Sequence, residues 1–237
     1  MTEPDVALTD YGVTLECALL TALLFRGLAG GNAPGESARR GGAGRATLRR
    51  SFAIFFASAG IAALAGGTVH GFFLSEDSVA GAVLWRIALL ALGVTAFAAW
   101  SIGGRLIFAR PTARTIEALA AGELIVYAVV VLAVDQRYWI AIANYAPAVI
   151  FLGLSFLVAY RKTPARPALA GLVGLALTIV AAIVQRRHVA LHPVYFNHNA
   201  LYHLVQMTAF VLIFVAGRHF VSAAAAATVE VGAAAGR

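Results

Sequence analysis

The chain has 237 residues, of which 61% are hydrophobic and 12% charged, and its formal net charge is +7. A soluble domain carries about a quarter charged residues, so this composition excludes a water-soluble globular protein. The basic residues sit in short loops between apolar runs, where they orient helices in a bilayer, so the charge does not imply nucleic-acid binding.

Crossing the hydrocarbon takes about 20 apolar residues, and seven such runs predict an all-α, seven-transmembrane-helix bundle. The first covers roughly 11–29 and follows MTEPDVALTD, which holds Glu3, Asp5 and Asp10 but no basic residue. A signal peptide needs a positive n-region, so this run is expected to be a retained span. It carries Glu16 and the single cysteine, Cys17, so neither an intrachain disulfide nor a thiolate metal cage can form. Residues 27–45 are Gly-rich and basic and are expected to be a disordered loop.

The second span, roughly 51–73, ends in LAGGTVHGFF, with Gly66 and Gly67 on the helical face of His70. The third, 79–103, carries Arg86, and the fourth, 115–134, has Glu123 near its middle. The fifth, 138–160, holds Asn144 and Pro147; the proline should kink it. The sixth, 168–187, ends near Gln185. The seventh, 198–218, opens NHNALYHLVQM, where Asn199, His203 and Gln206 share one stripe at i, i+4, i+7 spacing and His198 lies a turn above. Residues 1–220 are thus expected to be one membrane domain, followed by a disordered Ala-rich tail at 221–237.

Loop charges alternate. Arg39, Arg40, Arg45, Arg49 and Arg50 lie between spans one and two, Arg105, Arg110 and Arg114 between three and four, and Arg161, Lys162 and Arg166 between five and six. Positive loops stay in the cytoplasm, which predicts an extracytoplasmic N-terminus, a cytoplasmic C-terminus and a multi-pass protein of the cell inner membrane. Arg186 and Arg187 are the exception. The preference for Arg over Lys, with 23 Gly, suggests a GC-rich bacterial genome.

At about 1.5 Å of rise per residue, His70 and His203 fall roughly 5–8 Å below the same outer boundary. Glu16, Arg86 and Asn144 come out at about 7–10 Å on that rise, with Gln206 slightly deeper and Glu123 near the midplane. Ionisable side chains are costly in hydrocarbon, so this layer is the candidate site. Each member also has a structural explanation: a hydrogen-bonded helix anchor for a histidine, an ion pair for Glu16 and Arg86, or a bond from Glu123 to Asn144 or a tyrosine.

Seven helices, a histidine closing the second and a histidine motif opening the seventh resemble one superfamily, that of the alkaline ceramidases and the progestin/adiponectin receptors. Its members carry S-x-x-x-H on the second helix, Asp on the third and H-x-x-x-H on the seventh. The resemblance implies three histidines holding a zinc that activates water against a lipid amide. Here Gly66 stands four residues before His70 where the family has serine, and Asn199 stands four before His203 where it has histidine. Asp77 does not match the family's aspartate in spacing. His70 and His203 carry over as metal ligands, with His198 as a displaced third.

Three functions compete. The first is a metal-dependent membrane hydrolase of lipid amides or esters, with Glu16 as base and Arg86 on an anionic head group, or a noncatalytic relative of it that keeps the ligand pocket. The second is a b-type haem protein with His70 and His203 as axial ligands beside Gly66 and Gly67. The third is a transporter or sensor whose polar pocket takes a small solute or lipid. Membrane lipids are the expected partners in every case.

Overall fold

In the computed structural model, which describes residues 1–26, 36–75, 77–192 and 195–235, the chain forms seven helices. They are α1 (Pro4–Phe25), α2 (Glu36–Phe72), α3 (Val79–Ile107), α4 (Arg110–Ala133), α5 (Tyr138–Lys162), α6 (Arg166–Arg186) and α7 (His198–Ala235). Each contains a stretch long and apolar enough to cross a bilayer. The fold is the expected all-α seven-helix bundle.

Helices α2, α3, α5, α6 and α7 pack in sequence and close a ring through contact of α7 with α2. Helix α1 lies in the outer groove between α2 and α7, and α4 lies outside α3. Lipid tails are as apolar as leucine, so close backbone approach must drive much of this packing. The glycines of α2 show how. A Cβ at Gly60 would lie 2.9 Å from Cys17 Cβ, one at Gly67 2.6 Å from Asp10 Cβ, and one at Gly71 3.3 Å from Ala7 Cβ. These positions form a seam into which α1 settles, antiparallel to α2.

Two glycines of α6 serve α7 in the same way. A Cβ at Gly171 would meet Ala216 Cβ at 2.5 Å, and one at Gly174 would meet the Ala209 carbonyl oxygen at 2.7 Å. Backbone cannot yield as a flexible side chain does, so Gly174→Val should lower the unfolding midpoint markedly. Gly122→Ala, where nothing lies within 4 Å, should raise stability by roughly 0.5–1 kcal/mol through helix propensity. Thermal unfolding of both variants in detergent checks the contrast.

The half of the bundle away from the N-terminus is filled by aromatic side chains. Phe55, Phe56, Phe210 and Phe214 meet edge to face with centroids 5.3–6.1 Å apart, an arrangement that adds about 0.5–1.5 kcal/mol per pair beyond burial. The half bearing the N-terminus is looser and polar.

Three boundaries differ from the sequence reading. Helix α1 starts at Pro4 rather than 11, with Asp10 well inside it. Residues 36–45, expected as disordered loop, are helical, while 27–35 lie outside the described residues. Helix α7 continues through the Ala-rich stretch to Ala235, which follows from alanine's leading helix propensity.

Candidate functional site

Glu3, immediately before α1, and Asp10, within it, lie seven residues apart. Each carboxylate meets a histidine from a different helix. Glu3 Oε2 contacts His70 Nδ1 on α2, and Asp10 Oδ1 lies 3.1 Å from His203 Nε2 on α7. Asp10 is 5% exposed and His203 9%. The absent side chain of Gly67 lets Asp10 reach this position, since a Cβ there would overlap Asp10 Cβ.

The second nitrogen of His203, Nδ1, lies 3.0 Å from Thr9 Oγ1. The Thr9 hydroxyl gives its one hydrogen to the backbone carbonyl of Asp5 or Val6, at 2.8 and 2.9 Å. It therefore accepts from Nδ1–H, which fixes the ring by its hydrogen-bond network. Nε2 and Asp10 Oδ1 then share one proton, and the couple is neutral whichever atom holds it. A neutral pair able to exchange a proton suits a buried site, where an unpaired charge is heavily penalised.

The start of α1 is stitched across the bundle end. The Thr2 and Glu3 amides donate to the Gly71 and His70 carbonyls at 3.0 and 3.2 Å. Asp5 Oδ2 accepts from the Asn197 amide at 3.0 Å, and Asn197 Oδ1 accepts from the Asn199 and Ala200 amides, capping α7. The polar residues of α1 are thus tied to both α2 and α7.

Asp10, His70, Asn199, Tyr202, His203 and Gln206 line one cavity of about 200 Å³, together with Gly66, Trp85, Tyr138 and Gln185. A second cavity of about 190 Å³ runs between α3, α5, α6 and α7 and is walled mainly by Ala141, Ile142, Val149, Ile150 and Ile179. The two share Leu92, Tyr138, Gln185, Tyr202, Gln206 and Phe210 as common wall. At that junction Tyr138 donates to the Tyr202 hydroxyl at 3.3 Å, and Gln206 Nε2 donates to Thr178 at 3.3 Å. A chamber with a cluster of polar side chains on a largely apolar wall therefore adjoins a more uniformly apolar one.

Of the residues expected from sequence, His70, His203, Gly66, Asn199 and Gln206 come together on the first cavity wall. His198 does not line it; its ring packs on His188 instead, with centroids 4.4 Å apart. Glu16 lies deeper on α1, with Oε2 buried and without a hydrogen-bond partner among the described residues. Arg86 is docked outside the cavity. It donates to the Ala82 carbonyl at 3.2 Å and, with the Gln136 side-chain amide turned to present its oxygen, from Nε and Nη2 to that oxygen at 3.1 and 3.0 Å. Its neighbour Trp85 lines the cavity and donates to the Gln136 carbonyl at 2.8 Å. Beside that loop contact, hydrogen bonds from Arg137 hold the Asp135 carboxyl below the usual carboxylate range. Glu123 is half-buried on α4 and Asn144 on α5, neither on a wall of the two cavities. The glycine pair does admit a close neighbour, and it is α1.

Sequence reading missed Glu3, Thr9, Asp10, Tyr138 and Tyr202. The seven-residue spacing of Glu3 and Asp10 around Val6 and Ala7 was the available signal for a helix with one acidic face.

The fold and site define a multi-pass membrane protein with two histidine–carboxylate pairs built between its first, second and seventh helices. Residues 6–222 match a family described as a family of unknown function (DUF6962), and the chain belongs to it. No curated protein and no solved structure matches the chain.

Proposed function

We propose that the chain is a membrane-embedded hydrolase acting on the amide or ester of an amphiphile, with the Asp10–His203 couple as its proton-transfer group. The observation that carries this reading is the buried Asp10–His203 contact among the polar side chains of one chamber, which adjoins a more uniformly apolar one. An amphiphile's polar group matches the first chamber and its hydrocarbon chain the second. Water's oxygen bonds to the carbonyl carbon as the couple takes its proton. The couple returns that proton to the departing amine or alcohol as the C–N or C–O bond breaks. The Tyr202 hydroxyl accepts from Tyr138, so its own hydrogen is available to the substrate carbonyl oxygen. The arginine-rich loops support an orientation with both chambers toward the extracytoplasmic side of an inner membrane.

The superfamily resemblance implies zinc, and the residues as they stand do not fit it. Both ring nitrogens of His203 and Nδ1 of His70 are engaged. Among the described residues no three His, Cys, Asp or Glu side chains converge as a ligand set. Zinc would have to displace Asp10 from His203.

The test is turnover of long-chain acyl amide and ester probes in mixed micelles, with metal analysis and a visible spectrum on the same sample. Turnover should fall by about 10²–10⁴ in Asp10→Asn and His203→Gln. Absence of turnover on both probe classes rejects the reading, as does equal turnover in Asp10→Asn. Stoichiometric zinc lost on His70→Ala would replace the metal-free reading, and a Soret band would replace it with a haem protein.

A further inference from the structure

Helix α6 ends in a pair of reversed bonds, with the Val189 amide donating to the Val184 carbonyl at 3.0 Å and the His188 amide to the Gln185 carbonyl at 3.2 Å. This is the pattern in which the residue after the cap turns left-handed, and glycine is its usual occupant. Here the residue is His188, at φ 53°. A side chain at that position strains the backbone, so its presence asks for a reason. The ring supplies one, because it meets the ring of His198, the first residue of α7, with centroids 4.4 Å apart at 61°. Between the two histidines, His192 and Phe196 exchange reciprocal backbone bonds at 3.1 and 3.0 Å.

We propose that His188 and His198 together bind a divalent transition-metal ion, clamping the end of α6 to the start of α7 at the rim of the first chamber. His188 is exposed and His198 half-buried, so an ion can reach both. Gln185 and Asn199, three residues before and one after the pair, already line the chamber. Neutral imidazole suits Cu²⁺, Zn²⁺ and Ni²⁺, whereas Mg²⁺ and Ca²⁺ require oxygen ligands. Among the described residues no third His, Cys, Asp or Glu completes the set. His192 turns its Nδ1 to the Tyr195 amide at 3.1 Å. Water therefore fills the remaining positions, and the neighbouring Arg186 and Arg187 keep the affinity modest. The Irving–Williams order then makes Cu²⁺ the tightest occupant. This site is independent of the hydrolase reading.

The test is a Cu²⁺ titration of the tag-free, full-length protein in detergent, followed by electron paramagnetic resonance and thermal unfolding. One equivalent should bind with nitrogen couplings from two imidazoles and raise the unfolding midpoint. His188→Gly should abolish both effects while leaving the metal-free protein at least as stable, because glycine is preferred at that backbone position. His203→Ala and His70→Ala should retain the copper signal. Unaltered binding in His188→Gly overturns the proposal, as does the absence of bound copper in the parent. A signal lost with His203→Ala and kept in His188→Gly overturns it too, by placing the ion in the chamber.

Discussion

Asp10→Ala is expected to destabilise the folded protein by about 1–3 kcal/mol, the cost of leaving Nε2 of a neutral, buried imidazole without a partner. The imidazole belongs to His203, whose Nε2 faces Asp10 at 3.1 Å and which is 9% exposed. Asp10→Asn is expected to be milder, on the order of 1 kcal/mol, because its amide can still donate to an unprotonated Nε2. The two substitutions should nevertheless lower turnover alike, by about 10²–10⁴, since neither leaves a couple that exchanges a proton. Unfolding of both variants in detergent, read beside activity, separates the structural contribution of the contact from its chemistry.

Gly67→Leu is expected to prevent α1 from docking and so dismantle the site as a whole. Even its Cβ would lie 2.6 Å from Asp10 Cβ and 3.3 Å from the Ala7 carbonyl oxygen. Overpacking alone costs about 1–3 kcal/mol. Here displacement of α1 also removes Glu3 from His70 and Asp10 from His203. Gly66→Ala is the control, because its Cβ would sit 3.6 Å from Asp10 Oδ2, an ordinary contact. Protease susceptibility of α1 in micelles should rise in Gly67→Leu and stay unchanged in Gly66→Ala. Equal behaviour of the two would mean that the glycine seam does not seat α1.

The seven spans were legible because each needs an unbroken apolar stretch and nothing else in the chain supplies one. His70 and His203 were legible for the converse reason, since an imidazole inside such a stretch has no cheap explanation. Asp10 was not legible by the same rule. An apolar-run criterion ends a span at the first cluster of polar residues, so Asp5, Thr9 and Asp10 read as extramembrane chain. Their pairing with Asn197 and His203 makes them tolerable inside the helix, and those partners lie almost the whole sequence away.

The late start assigned to α1 then misplaced Glu16. Counted from Pro4, Glu16 is about 18 Å down the helix and Asp10 about 9 Å, by the helical rise. His203, five residues into α7, falls at about 8 Å on the same rise, level with Asp10. A single boundary therefore exchanged one carboxylate for another. Arg86 was misread for a different reason. Depth alone cannot distinguish the two sides of a helix, and α3 turns Trp85 to the chamber and Arg86 to the α4–α5 loop.

The central claim is that Asp10 and His203 act as one unit, and a double-mutant cycle on their unfolding free energies tests it most directly. With Asp10→Ala, His203→Ala and the double variant, the account predicts a coupling of at least about 1 kcal/mol, the double variant losing less than the sum of the singles. Additivity to within about 0.3–0.5 kcal/mol, the behaviour of independent sites, would contradict it.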